Sequence, residues 1–175
     1  MLNIEPDLPV VSPDHFKAVM RHWVTGVTVV TTSIGGETRG VTANSFVSVS
    51  LTPPLISITL AKRLYTLQDI QHSRIFAVNI LSEHQQQISD RFAGTTRGGL
   101  DEQHDRFQGE PYHTAVTGAP ILDRAVGYLD CRVVAEFDVG LNVILIGLAQ
   151  AGGAQNDEHP LIYSNRQYWR INKLP

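Results

Sequence analysis

The strongest constraint on the fold is a succession of short β-type segments joined by tight turns. Residues 27–33 are rich in Val and Thr, and Gly35-Gly36 directly after them is typical of a hairpin. Residues 55–61 and 75–81 have the same apolar, β-branched character. Consecutive strands with tight turns pair in antiparallel fashion, and the helical segments are too few for a doubly wound sheet. The pattern therefore predicts a mainly β fold.

The second half of the chain continues this pattern. Apolar residues alternate with polar ones over residues 127–137, which predicts a half-buried strand. Residues 142–149 are apolar on both faces, so we expect them to be central in a sheet or to lie against a partner chain. A final pair of short strands is predicted around a turn at Asn165. A closed or partly closed β-barrel with peripheral helices accounts best for this order, because it leaves few exposed strand edges.

Three helices are predicted beside the strands. The first has Ser12 as its N-cap and Gly26 as its C-cap. Its apolar stripe, which suits core or interface packing, consists of Phe16, Val19, Met20 and Trp23. A short helix covers residues 66–71, and a third begins after Ser82 with Gln85 in the capping-box position.

Length and composition exclude several classes of protein. A chain of 175 residues suits one domain, predicted over residues 14–175 behind a flexible arm at residues 1–13. The net charge of −3 gives no basic surface for nucleic acid and no polybasic anchor for a membrane. The sequence has no apolar run of membrane-spanning length, no signal-peptide pattern and only one cysteine, so we expect a cytoplasmic protein.

Common catalytic signatures are absent from the sequence. It contains no Gly-x-Gly-x-x-Gly, no Walker loop and no Gly-x-Ser-x-Gly elbow. Cys131 is in register with apolar neighbours, which favours a buried structural thiol over a catalytic one. His104 and His113 lie near three acidic residues in a long irregular loop predicted over residues 94–120. A metal site there is an alternative to the favoured interpretation, a solvated polar loop.

The segment GVTANSFVSVSLTPPL, residues 40–55, is predicted to be one strand with two unlike faces. The face suited to a core consists of Ala43, Ser45, Val47, Val49 and Leu51. The other face lacks the charges of a solvent face and consists of Thr42, Asn44, Phe46, Ser48 and Ser50. Its serines either satisfy neighbouring backbone groups or form a platform for a polar, planar ligand that approaches the bare backbone at Ala43.

A phosphate site is predicted a few residues downstream. Lys62, Arg63 and Thr66 lie at the start of the short helix. Two cations and a hydroxyl at a helix N-terminus suit a phosphate group.

Four segments, in this order, resemble the successive signature segments of the short-chain flavin reductases that serve two-component monooxygenases. They are FKAVMRHWVTGVTVVTT, GVTANSFVSVSLTPPLISI, IFAVNILSEHQQQISDRFA and HPLIYSNRQYWRI. Together they cover most of the chain, from about Phe16 to Ile171. The resemblance implies a six-stranded Greek-key split barrel that binds FMN or FAD and usually forms a homodimer. It also implies that NAD(P)H donates a hydride to the flavin, which then leaves for an oxygenase partner.

The resemblance also implies which residues bind the flavin. The edge of the isoalloxazine ring is expected on Thr42, Ala43, Asn44 and Ser45, with Ser48 and Ser50 further along. Lys62, Arg63 and Thr66 are expected at the phosphate end.

Two motifs depart from the family pattern. The usual Ser-x-Thr of the phosphate loop is Leu64-Tyr65-Thr66, and the usual Gly-Asp-His near the nicotinamide is Gly140-Leu141-Asn142. Asn142 can hydrogen-bond a nicotinamide amide, but it cannot carry a proton or a charge. The alternative to a flavin reductase is therefore a flavin-binding electron carrier of the same fold that oxidises NAD(P)H weakly or not at all.

Overall fold

The computed structural model describes residues 9–94, 106–155 and 157–172. Its helices are α1 (Pro13–Met20), α2 (Tyr65–Ser73) and α3 (Gln86–Ala93). The strands of its first half are β1 (Thr25–Gly26), β2 (Thr28–Ile34), β3 (Glu37–Ala43), β4 (Val47–Ser50), β5 (Leu55–Ala61) and β6 (Ile75–Ile80). Those of its second half are β7 (Tyr112–Thr114), β8 (Pro120–Leu122), β9 (Gly127–Val139), β10 (Asn142–Ala154), β11 (Ile162–Ser164) and β12 (Gln167–Trp169).

Seven strands form one antiparallel sheet in the order β3-β2-β6-β9-β10-β5-β4. In a flat sheet, its six gaps would separate the two edge strands by about 29 Å. The edge strands β3 and β4 are nevertheless consecutive in the chain, and residues 44–46 between them reach at most about 14 Å. The sheet must therefore curl until its edges meet. This geometry confirms the predicted mainly β split barrel with peripheral helices.

The predicted single strand of residues 40–55 is interrupted, and this prediction was wrong in detail. Its first part, β3, pairs with β2, and its second part, β4, pairs with β5. Counted as one broken strand, β3 and β4 give the six strands expected of the barrel. The interruption shifts the two-residue period, so the faces exchange. Ala43 and Phe46 pack against the core, whereas Val47 and Val49, predicted as core residues, are more than half exposed.

The interior of the barrel is apolar and includes residues of β2, β5, β6, β9 and β10. The doubly apolar strand β10 is central, between β9 and β5, as predicted. The prediction for β9 was wrong at Asp130, which is buried although alternation placed it on the polar face. Its carboxylate is satisfied by the Thr117 hydroxyl and by the Thr117 backbone N–H at 2.8 Å, which makes burial of the charge tolerable.

The helices depart from prediction at their ends. Ser12 caps α1, accepting the His15 N–H at 3.3 Å, but the helix ends at Met20 rather than Gly26. Gly26 instead pairs with β11, which draws the chain into a strand. The apolar stripe of α1 is exposed in the single chain, so no core packing covers it.

Other boundaries also differ. The third helix begins at Gln86 with Gln85 as its N-cap, later than the predicted start after Ser82, although Gln85 accepts the Ser82 N–H at 2.9 Å as its capping-box position predicts. The predicted loop of residues 94–120 contains the strand β7 and the start of β8, and its residues 95–105 lie outside the described residues. The first eight residues of the predicted arm also lie outside them. No helix within the described ranges is long and apolar enough to cross a membrane.

Candidate functional site

Residues 44–46, which we call the connector, are the point where the barrel closes. The hydroxyl of Ser45 donates to the Thr59 carbonyl at 2.7 Å and accepts the Thr59 N–H at 3.1 Å. Ser45 thus replaces the backbone pairing that a continuous strand would make with β5. Just before the connector, the Ala43 carbonyl accepts the Thr28 hydroxyl at 2.7 Å. Asn44 between these anchors is exposed, so its amide is available to a ligand.

The other polar residues predicted at or near the ring edge contact different parts of the fold. The Thr42 hydroxyl donates to the Ser89 carbonyl of α3 at 2.6 Å, which ties the end of β3 to that helix. Ser48 is exposed and pairs with Ile56, while Ser50 is half-buried and pairs with Leu55 beyond an irregularity in β4. The hydroxyls of Thr42 and Ser45 therefore have structural partners. The flavin contacts of these two residues, and of Ser48 and Ser50, stay predictions.

The predicted phosphate end lies where β5 passes into α2. Lys62 and Arg63 are exposed in this turn, and Thr66 is buried in the first turn of the helix. The N-cap of α2 is Leu64, which provides no side-chain cap for the helix amides. The N-terminus of α2 thus keeps backbone N–H groups and a positive dipole end for an anion.

One strand joins the ring edge to the phosphate end. Ser45 binds the backbone of Thr59, and Lys62 follows three residues later, just beyond the end of β5. Three residues of extended strand span about 10 Å. The connector and the Lys62-Arg63 turn therefore lie close together along β5, with a neutral polar end and a cationic end, which fits a flavin nucleotide and its phosphate. Ser48 and Ser50 pair with the opposite end of β5, further from the cations.

Asn142, the predicted nicotinamide contact, lies beside the phosphate end. It opens β10 directly opposite Ala61 of β5, and the Leu141 carbonyl accepts the Lys62 N–H at 3.0 Å. The ammonium group of Lys62 forms an ion pair with Asp138 at the end of β9. A carboxylate thus contacts one of the two cations that the sequence assigns to the phosphate.

A groove of about 250 Å³ has Asn44 among its lining residues. It lies between the C-terminal part of α1 and the turn between β11 and β12, and Asn44 lines it together with Lys17, Met20, Arg21, Trp23, Thr25, Tyr163, Ser164, Asn165 and Arg166. Sequence reasoning missed its cations. They come from segments more than a hundred residues apart, so no local sequence pattern indicates that they lie together.

The remaining titratable candidates are structural. Cys131 is fully buried, and burial, followed by the nearby Asp130 carboxylate, raises the pKa of its thiol to about 12. It is therefore protonated at neutral pH and is no nucleophile. His113 lies 2.7 Å from the Asp123 carboxylate. The described residues contain no cluster of three or more potential metal ligands, and the predicted metal alternative around His104 lies outside them.

Comparison with known proteins gives one consistent result. A family model described as "Flavin reductase like domain" matches residues 20–172. FMN reductase (NADH) RutF of Ancylobacter novellus is 32% identical over 171 residues, covering 95% of this chain and 90% of its own. The reductase component of 4-hydroxyphenylacetate 3-monooxygenase of Thermus thermophilus is 31% identical, covering 89% and 95%. The structure of an NADH:FAD oxidoreductase of Streptomyces globisporus superimposes with a TM-score of 0.84 at 30% identity, covering 96% and 100%.

Proposed function

The chain belongs to the flavin reductase like domain family, and from this premise we propose that it is an NAD(P)H:flavin oxidoreductase. It supplies reduced FMN or FAD to a partner flavin-dependent monooxygenase. The observation that carries the proposal is the family match over residues 20–172, joined to relatives whose names state this reaction or this role. We place the reaction in the cytoplasm, as the sequence predicts.

When bound, the flavin supplies the redox chemistry by accepting a hydride from NAD(P)H. The protein's own part is to bind and orient. Asn44 offers its amide to the polar edge of the ring, and the small Ala43 allows the ring to approach. Lys62, Arg63 and the start of α2 neutralise the phosphate. Asn142 can offer an amide to the nicotinamide, but it cannot exchange a proton.

We propose that the protein is a homodimer. Residues directly opposite one another in antiparallel strands share a face, and on the outside of the barrel two such rows are uncharged. They consist of Phe137, Ile144 and Thr59, and of Ala135, Ile146, Ser57 and Val47. Phe137 and Val47 are 55% and 58% exposed in the single chain. A second copy covering this face would remove apolar surface from water.

An anaerobic assay tests the reductase directly. Purified protein is mixed with FMN and either NADH or NADPH, and bleaching of the flavin absorbance is followed. We expect acceleration over the protein-free mixture with at least one nucleotide. If neither nucleotide accelerates bleaching while flavin still binds, the electron carrier becomes the better interpretation, and the absent histidine at Asn142 is its physical basis.

The location of the flavin is tested by Asn44→Phe. The added ring fills the space beside Ala43, so flavin affinity should fall by at least tenfold while the thermal midpoint stays close to that of the wild type. Val116→Phe is the matched control, because Val116 is 63% exposed in the segment between β7 and β8 and lies outside the site. Unchanged flavin affinity in Asn44→Phe would show that the ring edge lies elsewhere.

The dimer is tested by solution mass and by Ile146→Lys. Light scattering should give the mass of two chains for the wild type, and a lysine on the shared apolar face should shift the population toward single chains. A wild type that is monomeric at micromolar concentration would contradict the proposal.

A further inference from the structure

The hydroxyl of Tyr168 in β12 belongs to a chain of hydrogen bonds that leads toward the connector. It donates to the Asp90 carboxylate at 2.9 Å and lies 2.9 Å from the Ser89 hydroxyl. A phenol has one proton and a carboxylate can only accept, so the Ser89 hydroxyl must donate to Tyr168. Burial of the phenol, together with the Asp90 carboxylate, raises the pKa of Tyr168, so this group keeps its proton at neutral pH.

Ser89 connects Tyr168 to the strand that leads into the connector. It is fully buried in α3, and its backbone carbonyl accepts the Thr42 hydroxyl at 2.6 Å. Thr42 lies in β3, two residues before Asn44. One residue of α3 therefore binds β12 through its side chain and the end of β3 through its backbone.

The helix α3 is also packed tightly on β3. One guanidinium nitrogen of Arg106 donates to the Gly40 carbonyl at 3.2 Å and to the Phe92 carbonyl at 2.6 Å, which bridges the strand and the helix. The Phe92 ring lies so close to Gly40 that a Cβ on this glycine would be 2.7 Å from a ring carbon. Closely packed groups transmit a displacement, because there is no free space to absorb it. We therefore expect a shift of α3 at Ser89 to move the end of β3.

The turn between β11 and β12 borders the same groove as Asn44. Asn165 and Arg166 of this turn line the groove together with Asn44, and Tyr168 follows Arg166 by two residues. The turn and Asn44 are thus joined by a path that runs through Tyr168, through Ser89 and Thr42, and into the connector.

We propose that Tyr168 is a positioning residue for the flavin site, which through Ser89 and Thr42 holds Asn44 where it receives the polar edge of the ring. This inference rests on the proposed flavin binding at Asn44. Tyr168 is not among the residues that we expect to contact the flavin. Tyr168→Phe removes only the hydroxyl and keeps the ring, whose centroid lies 5.4 Å from that of Tyr163.

Titration of FMN fluorescence tests the proposal. In Tyr168→Phe the dissociation constant of FMN should rise about threefold to tenfold, the range that corresponds to the net free energy of one hydrogen bond. Ser89→Ala should have a similar effect, because it removes the donor to Tyr168. Thr42→Ser keeps the hydroxyl and should bind FMN as the wild type does, whereas Thr42→Val should bind it more weakly. Unchanged affinity in Tyr168→Phe would overturn the proposal.

A variant destabilised elsewhere separates positioning from a merely structural role. Thr32→Val removes a buried hydroxyl that lies 3.0 Å from the Ser73 hydroxyl and donates to the Ile75 carbonyl at 2.8 Å. Thr32 lies four residues along β2 from Thr28, or about 13 Å. Thr32→Val should lower the urea midpoint at least as far as Tyr168→Phe does, yet leave the dissociation constant of FMN unchanged. Equal weakening of FMN binding in both variants would assign the effect to lost stability and overturn the proposal.

A double-mutant cycle tests the route from Tyr168 to the site. If Tyr168 acts through Thr42, Tyr168→Phe combined with Thr42→Val should bind FMN no more weakly than the more affected single variant. If the two fold-changes multiply instead, Tyr168 acts on FMN binding independently of Thr42, and the proposed route is wrong.

Equilibrium binding needs no turnover, which keeps this inference distinct from the reductase proposal. If the wild type binds FMN without reducing it and Tyr168→Phe weakens that binding, the positioning role stands and the reductase proposal fails. If the wild type reduces FMN and Tyr168→Phe binds FMN with unchanged affinity, only the positioning role fails.

Discussion

Replacing Ser45 by alanine should destabilise the barrel. In the single chain the Ser45 hydroxyl makes two hydrogen bonds to one residue of β5, donating to the Thr59 carbonyl at 2.7 Å and accepting the Thr59 N–H at 3.1 Å. These bonds fasten the connector to the opposite edge of the sheet. Alanine allows the same backbone conformation but removes both hydrogen bonds, so the connector is no longer bound to β5 by this side chain.

The magnitude follows from the geometry. A net contribution of about 1 kcal/mol for each hydrogen bond gives about 2 kcal/mol for the pair. Ser45 and Thr59 are half-buried, so water replaces part of what is lost and the cost stays below that of two fully buried, unsatisfied groups. For a domain of 150–250 residues, about 2 kcal/mol lowers the thermal midpoint by roughly 4–8 °C.

Urea unfolding and a thermal scan at a fixed protein concentration and without flavin measure this loss, because ligand binding and association both shift apparent stability. The urea midpoint should fall while the slope m stays constant. Ser48→Ala is the matched control: its side chain is exposed and should change stability by less than about 0.5 kcal/mol. Equal midpoints for Ser45→Ala and Ser48→Ala would refute the role of Ser45 in closing the barrel.

Three further outcomes are expected. Asp138→Asn removes the carboxylate partner of Lys62, so FMN binding in a fluorescence titration should become about twofold to fivefold tighter. The change is modest because the ion pair is largely exposed. Weaker FMN binding would mean that Asp138 orients the lysine. Gly147→Ala would place a methyl group 2.9 Å from Cε1 of the buried Phe76 ring and should cost about 1–3 kcal/mol in urea unfolding; an unchanged midpoint would contradict this packing. The free energy of unfolding should fall as the pH rises above 9, since Cys131 ionises in the unfolded chain near 9 but keeps its proton in the folded chain to about 12. In that pH range Cys131→Ala should show a shallower decline than the wild type.

The fold was predictable because its strands have local signatures. The Gly35-Gly36 turn has positive φ at both residues, as a tight hairpin requires, and joins β2 to β3 in the predicted way. The doubly apolar sequence of β10 indicated a central strand, and a strand between two neighbours in a closed barrel is what the structure has there. The two-residue alternation of a strand and the residue preferences of a tight turn both act over a few residues, so both can be recognised in the sequence.

The errors come from contacts that no local pattern encodes. Alternation continued without a break through residues 40–51, yet the bonds between Ser45 and Thr59 interrupt the strand and exchange its faces. Alternation placed Asp130 on the solvent face of its strand, but the distant Thr117 satisfies its carboxylate and allows it to be buried. The end of α1 was displaced by pairing with β11. In each case, a partner far away in sequence determined the local structure.

The same reasoning explains why the candidate site was predicted only in part. Thr42 and Asn44 were predicted at the site because their face suits neither core nor solvent, and Ser45, predicted on the core face, was added by the family resemblance. The fold uses the hydroxyls of Thr42 and Ser45. A barrel that closes through one broken strand needs polar side chains at the break, since the backbone there has lost its strand partners. Such a break also leaves an exposed polar residue, Asn44, at the edge of a groove. The feature that closes the barrel and the feature that we propose to receive the flavin are therefore one segment, and Ser45→Ala and Asn44→Phe separate its two roles: the first should lower stability more than affinity, and the second affinity more than stability.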